Sequence, residues 1–149
     1  MNRLRHVRVG AIIAVFAMLL PYALVRPAYA QGRLSDKDLE QRIKNMDSDI
    51  KTFGSMFNSA VGKTSIRKTT QAKDAKALVQ SFQNQSKGLY DKFKKTKKTD
   101  PYLQNLLNSS VQIDKLLQST QFDSATVGQW QKIKPQLRDI AAAFHMPGY

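Results

Sequence analysis

Five lysines crowd into seven residues at Lys92, Lys94, Lys95, Lys97 and Lys98, with Tyr90, Phe93 and Tyr102 beside them. Clustered ammonium groups attract anionic surfaces such as lipid headgroups, lipopolysaccharide, acidic polysaccharide or nucleic acid. The same residues stand where a helix would end, and a helix C-terminus welcomes cations by its dipole alone. Other chemistry has little to work with. Cysteine is absent, and beyond residue 30 the chain holds one glutamate, Glu40, and one histidine, His145. Metal centres in helical bundles draw glutamates from several helices and pair them with histidines, so no metal site is assigned. A nucleophilic triad lacks its base, and there is no glycine-rich phosphate loop. The expectation is a protein that is not an enzyme and carries no cofactor. Sequence-specific nucleic-acid binding is not expected either, since no helix-turn-helix, zinc-finger or sheet-borne aromatic pattern is present.

His145 invites one sharper reading. Ala143-Phe144-His145 would close the last of four helices, and Met46 lies in the first. In length, helix order and expected compartment the chain loosely resembles the exported four-helix b-type cytochromes. Those hold haem between a histidine near the end of the last helix and a methionine near the start of the first. The resemblance implies His145 as a ligand, but Met46 falls about 15 Å into its helix, and no sulfur lies near Leu39 or Ile43. An exposed histidine at a helix end is the competing reading. Met46, Phe53, Met56 and Phe57 offer either an adaptable apolar cavity or ordinary core packing, and the spacing favours packing. Trp130, the sole tryptophan, should be core with its indole N–H on a polar partner. The sequons at Asn84 and Asn108 fall inside helical segments and read as chance matches.

The compartment is set by the N-terminus. Arg3, Arg5 and Arg8 precede an apolar run from Val9 to Leu20, and Ala28-Tyr29-Ala30 is a small-x-small cleavage site. This is the order of a secretory signal peptide, which predicts a signal over 1–30, a mature chain from Gln31 and a periplasmic or secreted protein. The alternative is a retained anchor, because Val9 to Val25 carries no charge and approaches the length needed to span a bilayer. No later segment is apolar enough for a span. Without the four leader arginines, twenty basic side chains face eleven acidic ones over 31–149, a basic balance suited to an anionic surface or protein partner. Oligomeric state is left open.

The remaining 119 residues fit one domain. Ser35 before Asp36 and Asp38 marks a helix start, and Leu39, Ile43, Met46, Ile50, Phe53, Phe57 and Val61 form one apolar seam. Gly62 is expected to close that helix in a left-handed conformation. A second seam runs through Ala72, Ala75, Val79, Phe82, Ser86, Leu89 and Phe93, within a helix from about Ser65 to Lys95. Asp100-Pro101 should cap a third helix carrying Leu103, Leu106, Leu107, Ser110, Ile113, Leu116 and Leu117. Residues 118–124 read as a connection. The fourth seam is Val127, Trp130, Ile133, Leu137, Ile140 and Phe144, with Pro135 inside it. A kink near Pro135 or two shorter helices would follow. The predicted fold is all-α, an antiparallel up-down-up-down four-helix bundle.

Overall fold

The computed structural model describes residues 34–146. The expected signal over 1–30 with its expected cleavage site, residues 31–33 and the last three residues lie outside the described segment. Four α-helices follow one another and pack together, α1 (Asp36–Val61), α2 (Thr70–Thr96), α3 (Tyr102–Ser119) and α4 (Ser124–Ala143), with no strand among the described residues. The fold is therefore all-α. α1 packs along both α2 and α4, α2 also lies along α3, and α3 meets α4 least.

α1 starts where its residues require. The Ser35 hydroxyl accepts the Asp38 amide at 3.1 Å, and Asp36 and Asp38 supply negative charge to the first turn. Every residue of its predicted seam is buried. Its end differs from expectation. Gly62 keeps a right-handed φ of −67°, because Thr64 draws the chain into a tight turn by donating its hydroxyl to the Val61 carbonyl at 2.8 Å. The left-handed backbone is needed instead at Lys68, Lys97 and His145.

α2 begins five residues later than the seam suggests. Residues 65–69 are turns that fold Ile66 inward to 8% exposure, and Thr69 caps the helix by accepting the Ala72 amide. Asp100 does not cap α3. The Asp100-Pro101 peptide is cis and Pro101 precedes the first helical residue without a side-chain cap, while the Thr99 carbonyl accepts the Leu103 amide. Asp123 caps α4, taking the Thr126 amide at 2.8 Å and its hydroxyl at 3.1 Å. That bonding lets Thr126 be buried while the neighbouring Val127 is only half-buried. α4 is a single helix through Pro135, which faces solvent; the alternative of two helices does not hold.

The four seams meet in one core centred on Phe53, Phe57, Phe82, Phe93 and Trp130. The Trp130 ring lies 5.3 Å from Phe53 and 5.7 Å from Phe82 in tilted and edge-on contacts, geometries that aromatic quadrupoles favour. Phe122 stacks on Phe57 at one end and Phe144 meets Phe93 edge-on at the other. Leu116, Leu117 and Phe144 are half-buried at the margin.

Candidate functional site

The lysine cluster divides by what each side chain touches. Lys97 ends α2 with φ 56° and sends its amide to the Phe93 carbonyl at 2.8 Å. A left-handed backbone disfavours a side chain with a β-carbon. Here the side chain is engaged: Nζ donates to Glu40 Oε2 at 2.7 Å and sits 5.2 Å from the centre of the Phe93 ring. Lys97 therefore ties the end of α2 to α1. The Glu40 carboxyl is held below its usual range, first by that hydrogen bond and, against the opposing effect of burial, by the charges of Lys97, Lys94 and Lys44.

Lys92 is half-buried and its carbonyl accepts the Thr96 hydroxyl. Lys94, Lys95 and Lys98 are exposed and form no ion pair with any described residue. Three ammonium groups without an ion-pair partner among the described residues thus stand on a helix end that Lys97 and the buried Phe93 hold in place. Tyr102 is 36% exposed and its ring lies over Gly88, where an added β-carbon would stand 2.4 Å from ring carbon Cε1. The glycine is required there by the close approach of the ring, not by a turn.

The two residues of the haem reading are not brought into one opening. Met46 is fully buried in the core, whereas His145 is exposed just past α4 with φ 54°. Among the described residues no group of three or more metal-ligating side chains gathers. No helix of the described residues is long and apolar enough to cross a membrane.

Three carboxylates build polar clusters that sequence reasoning missed. Asp49 accepts Lys132 Nζ and Gln136 Nε2, each at 2.7 Å, while Gln129 bonds its backbone carbonyl at 3.0 Å. Burial pushes the Asp49 carboxyl up, but the bonds from Lys132, Gln136 and Gln129 outweigh it and leave the group below its usual range. Asp114 Oδ1 accepts Trp130 Nε1 at 3.0 Å and Lys134 Nζ at 2.8 Å. The indole has the polar partner its buried place demands. Asp47, 5% exposed, accepts the Ser86 hydroxyl at 2.9 Å and pairs with Lys51. The signal was available in α4, where Gln129, Lys132 and Gln136 share a face toward α1 and Trp130 and Lys134 share one toward α3.

A cleft of about 220 Å³ lies between α1 and α4, lined by Arg42, Asn45, Gln136, Asp139 and Ile140. Its polar groups are already engaged, Arg42 with Asp139 at 3.3 Å and Gln136 with Asp49. The lysine end, in contrast, keeps Lys94, Lys95 and Lys98 exposed and without an ion-pair partner among the described residues. No protein-family model, no curated protein and no solved structure matches the chain.

Proposed function

We propose that this chain is an exported four-helix bundle, periplasmic or secreted, that works by binding or scaffolding and not by catalysis, docking the basic end of α2 on an anionic partner. The observation that carries the reading is the trio Lys94, Lys95 and Lys98, exposed and without an ion-pair partner among the described residues, on a helix end clamped by Lys97 and Glu40. Clamping matters because a fixed array loses less conformational freedom on binding than a frayed one. Export is supported by the basic start, apolar run and Ala28-Tyr29-Ala30 site of the leader.

An antiparallel arrangement is supported by the contact register. Glu40 meets Lys97, Asp47 meets Ser86 and Gly54 approaches Gln83, so α2 numbers fall as α1 numbers rise. Arg42 with Asp139 and Asp49 with Lys132 follow the same rule for α1 and α4. A bend in α4 at Pro135 is supported by the amide donor that proline lacks.

The test is binding to anionic vesicles and to a soluble acidic polysaccharide as salt is raised. Each lysine near an anionic leaflet contributes about 1 kcal/mol, so Lys94→Glu, Lys95→Glu and Lys98→Glu together should weaken association by about a hundredfold or more. The helical circular dichroism spectrum should not change. Unaltered association in a folded triple variant would sink the reading.

A further inference from the structure

A second basic group lies at the other end of α2. Lys63, Arg67, Lys68, Lys73 and Lys76 are all exposed and none forms an ion pair with a described residue. The nearby acids are Asp74 on the same helix and Asp123, whose carboxyl feels Lys63 but is occupied in capping α4. The helix dipole explains cations at the C-terminal end of α2 and opposes them at its N-terminal end. The first turn of α2 has no acidic residue to compensate. The C-terminal end of α1 at Val61 welcomes Lys63 and the cations just after it, but for Lys73 and Lys76, inside the first two turns of α2, the dipole gives no reason.

α2 is 27 residues long, about 40 Å end to end, and about 27 Å of stiff helix separates Lys76 of one basic group from Lys94 of the other. The stretch between them is not a continuous basic track. Its exposed positions include the uncharged Ala77, Gln80, Ser81 and Asn84, and Lys87 is neutralised by Asp91 at 3.0 Å. A single polyanion laid along α2 would cross a gap of uncompensated charge. Two separate anionic surfaces, one at each end, match the pattern better. No large apolar side chain is exposed among residues 62–76, and Tyr102 is the one near the other group. Both ends are accordingly suited to headgroup contact by charge and not to insertion.

We propose that the protein is a bivalent bridge, each end of α2 binding a bilayer that carries anionic headgroups, so that one molecule holds two such surfaces together. This rests on the anionic-partner reading above and adds the second site and the lipid class. The experiment uses the full-length gene product recovered from an exporting cell, mixed with vesicles of phosphatidylcholine and phosphatidylglycerol in equal parts. Co-sedimentation reads binding and light scattering reads vesicle clustering. The protein should bind and cluster these vesicles and ignore phosphatidylcholine alone. A variant with Arg67→Glu, Lys73→Glu and Lys76→Glu should still bind through the intact end, with scattering reduced to that of vesicles alone. Its thermal midpoint should not fall, because glutamates replace cations at a helix start. Clustering undiminished in that variant would overturn the second site, as would loss of all binding, which would mean one composite site. Binding to soluble acidic polysaccharide but not to vesicles would overturn the lipid assignment. If the unmodified protein binds no anionic surface, the anionic-partner reading fails; if it binds without clustering, only the bridge fails.

Discussion

Asp114→Ala should destabilise the bundle mainly by orphaning one buried N–H. Trp130 is 1% exposed, and its indole donates to Asp114 Oδ1 at 3.0 Å. Deleting the carboxylate leaves that donor without its acceptor at a cost of about 1–3 kcal/mol. Lys134 loses its partner as well, and a pair with a quarter of each side chain exposed adds up to about 1 kcal/mol. The Asp114 side chain is 28% exposed, so water reaches the site in part, and a total of about 2–3 kcal/mol is expected. Asp114→Asn retains an acceptor for the indole and loses only the charge, for about 1 kcal/mol or less. Urea unfolding followed by the fluorescence of the sole tryptophan measures both variants directly. In the Trp130→Phe background, followed by circular dichroism, Asp114→Ala should cost less, since no donor is left to strand. Equal losses in Asp114→Ala and Asp114→Asn would refute the assignment of stability to the indole bond.

Gly88→Ala should destabilise by about 1 kcal/mol, since the new methyl meets the Tyr102 ring and packed sites resist added volume. With Tyr102→Ala present, the same change should stabilise by about 1 kcal/mol through helix propensity, and thermal melts of the four variants read the reversal of sign. The Asp49 carboxyl sits below its ordinary value in the fold despite burial. Its contribution is therefore complete above the unfolded carboxylate range and is lost as pH falls through the lower folded value. Asp49→Asn should cost about 1–2 kcal/mol at neutral pH, and the gap to the unmodified protein should close on acidification; a gap independent of pH would count against the Lys132 and Gln136 bonds as its source.

The helical seams were legible because burial needs only a period, and Leu39 through Val61 keep theirs without a break. Helix ends were less so, since they turn on local bonds that compete. Thr64 outbid the conformational freedom of Gly62, and Ile66 turned inward where the period alone would have carried α2 back to Ser65. The stretch from Trp130 to Leu137 sets Lys132, Lys134 and Gln136 between core residues of α4. Its polar members prove to be long-range partners of Asp49 and Asp114, more than fifteen positions away in the chain. A residue's own neighbours in sequence carry no trace of such a pairing. For the lysine cluster the sequence marked the place, yet only the structure separates Lys97, bound to Glu40, from Lys94, Lys95 and Lys98.

Most charges of the bundle have a place that folding explains. Eight acids are placed where folding uses them: Asp38 and Asp123 at helix starts, and Glu40, Asp47, Asp49, Asp91, Asp114 and Asp139 on cationic partners. α1 opens with acids, and the cations of α2 gather at its C-terminal end, both as the dipole prefers. The start of α2 breaks this order. Lys63 follows the C-terminal end of α1, which suits it, but Lys73 and Lys76 lie in the first two turns of α2 with only Asp74 on the same helix in attendance. A sequence whose local choices otherwise agree with its fold tends to violate that agreement where function demands it. Lys73 and Lys76 are thus more telling than their number suggests, although the five lysines at the far end of α2 are the more conspicuous.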